Sequence, residues 1–102
     1  MILTGIIIRI DEYNKLRIKI TDPVIISRLN TEINEKYNKP YKEEINNSLE
    51  CIINIDKYKE YYMKLINDNI GKQIIVNVIS KRYSFNGKRG TSLYMQTIDI
   101  LD

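Results

Sequence analysis

The sequence contains no histidine and only one cysteine, Cys51, among its 102 residues. Histidine is the side chain that most often acts as a general base near neutral pH and as a ligand for transition metals. Its absence argues against a zinc site, and we expect the protein to use no cofactor. A single cysteine also excludes an internal disulfide, which fits a reducing, cytoplasmic compartment.

Long apolar runs are missing too. No segment approaches the ~20 consecutive apolar residues that a membrane helix requires. The apolar stretch near the N-terminus, residues 3–10, is interrupted by Gly5 and Arg9, and no cationic leader precedes it. We therefore expect a protein that is neither secreted nor inserted in a membrane. Its length suits one domain with one core, which we assign to residues 1–102.

Acidic residues are absent from residues 81–90, which carry four cations and two aromatic side chains. These six residues are Lys81, Arg82, Tyr83, Phe85, Lys88 and Arg89. The net charge is +3, and residues 1–71 contain eleven cations and eleven acids, so the whole surplus lies in the last third of the chain. A surplus of this size is compatible with a polyanionic partner without proving one.

The last third of the chain has the pattern of a β-hairpin. Residues 73–79 are rich in β-branched side chains, and residues 92–100 alternate between apolar and polar. Asn86 and Gly87 tolerate the positive φ of a tight turn, although a turn over residues 87–90 is an alternative that the sequence leaves open. Either turn places the basic and aromatic residues near the tip of the hairpin.

The N-terminal part predicts another hairpin, with strands at residues 3–10 and 15–20 joined by a turn at 11–14. Its buried faces are expected to hold alternate aliphatic residues, Ile6, Ile8 and Ile10 in one strand and Leu16, Ile18 and Ile20 in the other. Its outward faces carry four cations, Arg9, Lys15, Arg17 and Lys19. These cations form either a solvated outer face or a continuation of the basic hairpin tip.

A helix and a strand are predicted next. Asp22 is suited to the N-cap of a helix that continues to Tyr37, with proline at its first position. Residues 41–48 are interpreted as a polar connection, and residues 49–55 as a strand. Cys51 lies on the apolar face of that strand, so we interpret it as a core residue rather than a nucleophile, since no histidine is present to activate it.

A second helix is predicted over residues 57–68, with Asp56 as its N-cap and Gly71 as part of its stop signal. Its apolar side is expected to consist of Tyr58, Tyr61, Tyr62, Leu65 and Ile66. Tyrosines at helical spacing usually belong to a core or its rim. We therefore do not assign these tyrosines to base stacking.

The order of these elements is strand, strand, helix, strand, helix, strand, strand, which resembles the OB fold if the first helix is an insertion. The resemblance is most specific in the closing hairpin, from Gly71 to Met95, which is similar to that of small single-stranded DNA-binding proteins of the compact viral, plasmid or phage type without an acidic C-terminal tail. It implies an all-β or α+β fold. The expected architecture is a five-stranded antiparallel barrel with a helix between strands three and four and an extra helix between strands two and three.

An open antiparallel sheet covered on one face by both helices uses the same elements and is the alternative fold. The barrel is favoured because its last strand leaves no long exposed edge.

In OB folds, single-stranded nucleic acid crosses strands two and three between the loops that join strands one to two and four to five. The resemblance therefore implies a groove of cations and aromatic residues formed by Arg9, Tyr13, Arg17, Lys19, Lys81, Arg82, Tyr83, Phe85, Lys88, Arg89 and Tyr94. Alternative roles exist for the aromatic residues, because Tyr83 can cover Gly90 across the hairpin and Phe85 can close a small apolar cluster at the turn.

The expected function is non-catalytic binding of single-stranded DNA during replication, with little sequence preference; RNA is the alternative strand. Carboxylate pairs at apolar strand ends and a Gly-x-x-x-x-Gly-Lys-Ser/Thr phosphate loop are both absent, which argues against an enzyme.

The rival hypothesis is an OB-like accessory subunit that docks protein partners in a replication or transcription complex. Cations on one concave face favour nucleic acid, whereas scattered cations and an exposed apolar patch containing Ile7, Ile52 or Tyr94 favour docking. A homodimer is compatible with both.

Overall fold

Within residues 1–56 and 59–101, which the computed structural model describes, the chain forms six strands and two helices. In chain order these are β1 (Ile2–Ile10), β2 (Lys15–Ile20), α1 (Pro23–Glu32), β3 (Tyr41–Glu44), β4 (Ser48–Asn54), α2 (Glu60–Asn67), β5 (Gln73–Phe85) and β6 (Lys88–Ile100).

Five of the strands close into a barrel. Their order around the ring is β1, β2, β4, β6, β5 and back to β1, while β3 pairs with β4 outside the ring. All neighbouring strands in the ring are antiparallel except β4 and β6, which run parallel where Ile53 meets Leu93 and Asn54 meets Tyr94. The result is a closed mixed barrel, consistent with an OB-like fold.

The prediction of an all-antiparallel barrel is therefore wrong. Strand directions cannot alternate all the way round a ring with an odd number of members, so a closed ring of five strands must contain a parallel pair. The open-sheet alternative is also excluded, since β2 and β4 pair and complete the ring.

Aliphatic side chains from every strand of the ring fill the barrel interior. One fully buried residue from each of the five strands illustrates this: Leu3, Ile18, Ile53, Val76 and Leu93. The two helices add Leu29 and Ile66 to the same core. Burying a side chain of this size contributes ~1.5 to 3 kcal/mol, so the interior is the main source of stability.

The first strand buries a different face from the predicted one. Leu3 and Ile7 lie in the core, whereas Ile6 is 42% exposed. The pairing of β1 with β2 shifts register between Ile7 and Arg9, and Ile10 then packs against the core again. Positions 6, 7 and 8 are all isoleucine, so the sequence offers no apolar-polar alternation from which the buried face could be read.

The stretch predicted as a polar connection contains strand β3. Tyr41 is buried, and its hydroxyl donates a hydrogen bond to Asn30 Oδ1 at 2.7 Å. The other three residues of β3 are exposed because this strand lies outside the barrel. Because only one of its four residues is buried, β3 has the polar composition of a loop. The sequence pattern therefore did not indicate a strand here.

Both helices are shorter than predicted. Asp22 is the N-cap of α1, as predicted, and its Oδ1 accepts a hydrogen bond from Val24 N–H at 2.9 Å. The helix ends at Glu32, so Tyr37 lies beyond it.

The second helix begins at Glu60, and its N-cap is Lys59 rather than Asp56. Tyr61 is exposed, contrary to the prediction, because Tyr61 and Tyr62 are adjacent on a helix and cannot both face the core. Two residues that the prediction placed in this helix, Lys57 and Tyr58, lie outside the described residues.

The closing hairpin has the turn that the Asn-Gly pair predicts. Phe85 pairs with Lys88, and the two residues between them, Asn86 and Gly87, have φ values of 49° and 76°. Two consecutive positive φ angles characterise the tight turns whose twist matches that of the flanking strands. The alternative turn over residues 87–90 is therefore excluded.

Of the two helices in the described part of the chain, neither has the length and apolar character that crossing a bilayer requires.

Gly5 lies where the backbones of β1 and β2 approach each other closely. A Cβ atom at this position would lie 2.7 Å from the carbonyl oxygen of Lys19. We expect Gly5→Ala to lower the free energy of unfolding by ~1 to 3 kcal/mol, because the added methyl group forces the strands apart. Urea denaturation followed by circular dichroism measures this change. Thr4→Ala, one residue earlier in the strand, is the control, and an equal loss in both variants would contradict the explanation.

Candidate functional site

The end of the closing hairpin projects beyond the barrel, and residues 79–89 are all exposed. Side chains two positions apart share a face of a strand, so Lys81, Tyr83 and Phe85 lie on one face, joined by Lys88, the partner of Phe85. The opposite face carries Arg82, Ser84 and Arg89. Phe85 is 73% exposed, which is unusual for a large apolar side chain and makes it available to a ligand.

Tyr83 is held over the backbone of the opposite strand. It pairs with Gly90, and a Cβ atom at Gly90 would overlap the tyrosine ring. The predicted alternative role of Tyr83, covering Gly90, is therefore confirmed. The ring still keeps 43% of its surface exposed, so it covers the glycine and also presents a face to solvent.

The base of the hairpin is fixed by the connection between α1 and β3. Asn38 N–H donates to the carbonyl of Arg89 at 2.8 Å, and the carbonyl of Asn38 accepts from Thr91 N–H at 3.0 Å. The carbonyl of Pro40 accepts a hydrogen bond from Ile52 N–H at 2.8 Å, which joins the same connection to β4. These bonds fix the position of the hairpin relative to the barrel.

A cavity of about 160 Å³ lies where the hairpin, this connection and the outer face of β2 and β4 meet. We call it the hairpin groove. Its lining comprises two lysines, four other polar residues and three apolar or aromatic residues: Lys15, Lys39, Asn38, Asn54, Thr91, Ser92, Pro40, Ile52 and Tyr83. No acidic residue is among the described residues of the lining, so the charged groups at this site favour an anionic ligand.

Two more of the predicted residues lie near the groove. Tyr94 is on the outer face of β6, and the Lys81 Nζ lies 5.0 Å from the centroid of its ring. Tyr13 is exposed in the turn between β1 and β2, two residues before Lys15. On the other face of the hairpin, the Arg82 guanidinium lies over the Tyr37 ring at 4.9 Å.

Of the eleven predicted residues, Tyr83 alone is among the described residues that line the groove, and three of the others, Arg9, Arg17 and Lys19, lie beside acidic side chains of the barrel. Arg17 Nε lies 2.8 Å from Asp11 Oδ2, and an Arg17 terminal nitrogen lies 3.9 Å from Glu50. Arg9 also contacts Glu50, at 3.5 Å, and Lys19 pairs with Glu50 across the strands. The Arg17 side chain is only 13% exposed, so it serves an ion-pair network more than a ligand.

Neither of the two surfaces expected to distinguish nucleic-acid binding from protein docking is fully present. These were a shared face of cations for nucleic acid and an exposed apolar patch for docking. Arg89 and Lys81 lie on opposite faces of the hairpin, and Arg17 is bound to acids, so the cations do not share one face. Ile7 is buried and Ile52 half-buried, so the apolar docking patch is not exposed as a whole either. What the structure brings together instead is the hairpin face and the groove beside it.

Sequence reasoning missed most of the groove. Residues 38–40 directly follow the predicted end of the first helix at Tyr37 and have no predicted role, and neither do Asn54 and Ser92. Lys15 was noted as an outer-face cation without a place in the site. No short-range sequence pattern marks these residues. The groove forms only where the backbone of Asn38 hydrogen-bonds to Arg89 and Thr91, which are distant in the chain.

A larger cavity of about 690 Å³ lies between α1 and the hairpin formed by β3 and β4. Its lining includes apolar residues, such as Ile26 and Leu49, and two acids, Glu43 and Glu44. The carboxylates make this cavity unsuitable for a phosphate backbone.

Metal binding and cysteine chemistry find little support in the described residues. Groups of three Cys, Asp or Glu side chains suited to a metal ion are absent from residues 1–56 and 59–101. Cys51 is fully buried, and burial raises the pKa of its thiol to about 12. The thiol is therefore protonated at neutral pH, which agrees with its interpretation as a core residue.

Comparison with known protein families, with characterised proteins and with solved structures finds no match to this chain. The function must therefore be argued from the geometry of the site.

Asp11 organises the turn that precedes the groove. Its Oδ1 accepts hydrogen bonds from Tyr13 N–H at 2.9 Å and Lys15 N–H at 3.0 Å, while Oδ2 accepts from Arg17 Nε at 2.8 Å. Burial acts to raise the pKa of Asp11, but the hydrogen bonds from Lys15, Arg17 and Tyr13 together hold it below its usual 3.8.

We expect Asp11→Asn to lower the free energy of unfolding by ~1.5 to 3 kcal/mol near pH 7, because charged hydrogen bonds are lost. A lowered pKa stabilises the fold above the unfolded-state value of 3.8, and this contribution disappears as the pH falls through the folded-state pKa. The difference between wild type and variant should therefore shrink in acid.

Urea denaturation at about pH 7, pH 4 and pH 2.5 measures this dependence. Glu12→Gln, which changes an exposed acid in the same turn, is the matched control. A difference between wild type and Asp11→Asn that stays constant across the pH range would contradict the role assigned to the carboxylate.

Proposed function

We propose that this protein binds single-stranded DNA, without catalysis and largely without sequence preference, and that it protects or presents the strand during replication. The observation that carries the proposal is the hairpin face where two exposed aromatic rings, Tyr83 and Phe85, alternate with Lys81 and lie beside Lys88. Cations that neutralise phosphates and flat rings that stack on bases are the two requirements for binding a single strand.

The topology supports the same proposal. The ring of five strands, closed by a parallel pair, is compatible with the OB fold, whose ligands cross the outer face between the first and last connecting loops. Here those two loops are the turn that carries Tyr13 and the hairpin tip that carries Phe85. The hairpin groove lies on the surface between these elements, with a lysine from β2 on its border.

The distribution of ion pairs favours the hairpin over the barrel surface as the place where phosphates bind. Among the ion pairs of the described residues, none involves a cation of residues 81–90. The hairpin cations can therefore exchange their counterions for phosphates without first breaking an ion pair. By contrast, Arg9 of β1 and Arg17 of β2 are held by Asp11 and Glu50.

Anisotropy of a labelled single strand of ~20 nucleotides, beside the matching duplex and over a salt series, tests the proposal. We expect tight single-strand binding that weakens steeply with salt, and much weaker duplex binding. An RNA strand of the same sequence, measured in parallel, decides between the two nucleic acids. Absence of binding to all strands at low salt would contradict the proposal.

The double change Lys88→Ala and Arg89→Ala should weaken binding about tenfold at low salt and leave the fold intact, because both side chains are exposed. The salt slope should fall by up to ~1.4, since each phosphate contact on a single strand contributes ~0.7.

The matched control is Lys64→Ala with Lys72→Ala, which removes the same charge from two exposed positions outside the hairpin, one in α2 and one just before β5. Unchanged affinity in the folded hairpin variant would remove the tip from the interface.

Phe85→Ala should weaken binding by ~1 to 3 kcal/mol, the usual contribution of one stacked base, with little change in salt slope because no charge is lost. The same anisotropy series measures both quantities. Ile45→Ala is the control, because Ile45 is an exposed apolar residue in another hairpin turn. An equal loss in the two variants would show that Phe85 does not act by stacking.

A protein-docking role is the second candidate, as an OB-like accessory subunit of a replication or transcription complex. The larger cavity between α1 and β3–β4 favours it, since this cavity combines apolar and acidic lining next to the exposed Ile45. A protein that binds no strand in the anisotropy experiment would make this second role the leading one.

A further inference from the structure

We propose that the free edge of β5 in the closing hairpin pairs with the same edge of a second copy of this chain, so that two hairpins form one continuous sheet. The pairing itself needs no nucleic acid. Its consequence, a doubled binding face, rests on the proposed function, because it involves the same aromatic and basic residues.

The outer edge of β5 carries unpaired backbone groups beyond Val78. The Val78 N–H donates to the carbonyl of Met1 at 2.9 Å, and the Val78 carbonyl accepts from the Met1 amino group at 2.9 Å. Every second residue of an antiparallel strand directs its N–H and C=O to the same side, so Ser80, Arg82 and Ser84 follow on this edge. Within residues 1–56 and 59–101, no hydrogen bond reaches the groups that these three residues direct outward.

The other edge of the hairpin is already occupied. Asn38 lies along the outer edge of β6, where its N–H donates to the carbonyl of Arg89 and its carbonyl accepts from Thr91 N–H. An unpaired strand edge is a template for another strand, because its donors and acceptors are set at the spacing of a sheet. The β5 edge is therefore the side of the hairpin on which a further strand can add.

The charges of this part of β5 are turned away from its free edge. Proteins often protect an exposed edge with charged side chains. Here the Lys81 Nζ lies 5.0 Å from the centroid of the Tyr94 ring on β6, and the Arg82 guanidinium lies 4.9 Å from the centroid of the Tyr37 ring, next to Asn38. Both rings lie on the β6 side of β5, so these two cations leave the edge accessible to a second strand.

The sequence of the edge is complementary to itself, which identifies a second copy as the partner. With a two-fold axis at Tyr83, each Tyr83 faces the other, and Lys81 of one copy faces Phe85 of the other. On the opposite face of the sheet, Arg82 of one copy lies opposite Ser84 of the other. Tyr83 and Phe85 are 43% and 73% exposed, so both rings are available for these pairs. Aromatic pairs and cation–aromatic pairs are favourable across strands, and this register sets no like charges opposite each other.

Other registers fit less well. An axis at Arg82 brings two arginines into opposition, and it directs the turn after Phe85 of the second copy against Met1. An axis at Lys81 opposes two lysines, and like charges directly opposite are destabilising. An axis beyond Tyr83 shortens the paired stretch. With the axis at Tyr83, the strand of the second copy ends opposite Lys81, clear of Met1.

The pairing joins two binding faces and leaves them open. The hairpin projects beyond the barrel, so two hairpins that run antiparallel place their barrels at opposite ends of the shared sheet. Pairing uses the edge of β5, whereas Tyr83 and Phe85 project from a face. A single strand can then contact aromatic rings from both copies, and each copy contributes residues to the site of the other.

Light scattering coupled to size-exclusion chromatography, over a concentration series without nucleic acid, tests the pairing. We expect the mass to approach twice the 12.1 kDa of the chain. Ser84→Pro should keep the mass of one chain, because proline removes an outward N–H while the bonds of β5 to β6 remain. Ser84→Ala keeps that N–H and is the matched control, which should behave like the wild type.

A wild-type mass of one chain at every concentration would overturn the inference. A doubled mass that survives Ser84→Pro, in a protein with unchanged circular dichroism, would also overturn it, since the contact would then lie elsewhere. If Ser84→Pro unfolds, cross-linking tests the same register.

Cross-linking uses Lys81→Cys and Phe85→Cys, two positions that face each other across the proposed axis. Backbone hydrogen bonds do not join this pair, and side chains of such pairs come closest. With oxidised glutathione as the oxidant, the mixture should form disulfides about tenfold faster than either variant alone. Cys51 does not interfere, because burial raises the pKa of its thiol to about 12. Equal rates in the mixture and the separate variants would overturn the inference.

Strand binding separates this inference from the proposed function. With a single strand long enough to contact both hairpins, Ser84→Pro should bind about tenfold more weakly than Ser84→Ala, because the linked second site is lost. Equal affinities would overturn the doubled binding face. If the protein pairs through this edge but binds no strand, the pairing stands and the proposed function fails. If strands bind but the wild type stays a single chain, the proposed function stands and the pairing is overturned.

Discussion

The closing contact between β4 and β6 determines where everything else on this surface lies. It is short, since only Ile53 and Asn54 pair with β6, and it is the parallel contact that a ring of five strands needs. The Asn54 side chain reinforces it with a hydrogen bond to Leu93. Because closure brings Leu93 and Tyr94, in the middle of β6, beside β4, the hairpin that β6 forms with β5 lies next to the outer face of β4, and the groove forms between them.

The segment between β2 and β4 lines the hairpin groove and also contributes to the core. Its helix buries Leu29, and its short strand buries Tyr41. The connection between them passes beside the hairpin. Its Asn38 backbone hydrogen-bonds to the hairpin, and its Pro40 carbonyl accepts a hydrogen bond from β4. A hairpin of this length would otherwise be free to bend at its base. The segment between β2 and β4 thus provides one wall of the groove and holds the hairpin on the other side in place.

The basic residues of the protein stand in two different environments. Arg9 and Arg17 neutralise Asp11 and Glu50, which are half-buried or buried and need compensation for lost hydration. The cations of the hairpin are exposed, and none of them forms an ion pair with an acid of the described residues. Burial separates the two groups, because a charge that is withdrawn from water must be paired within the fold, whereas an exposed one keeps its counterions and can release them to a ligand.

Local chemistry in the sequence by itself determined the hairpin turn, since Asn86 and Gly87 accept positive φ at low cost, and the start of α1, since Asp22 can cap it. The tertiary structure alone decided the buried face of β1, the strand at Tyr41–Glu44, the direction of β4 against β6, the partners of Arg17 and the groove beside Tyr83. Backbone preferences act over a few residues and can be read locally. Strand register, ion pairing and cavity shape depend on contacts between distant parts of the chain, which exist only once the ring has closed.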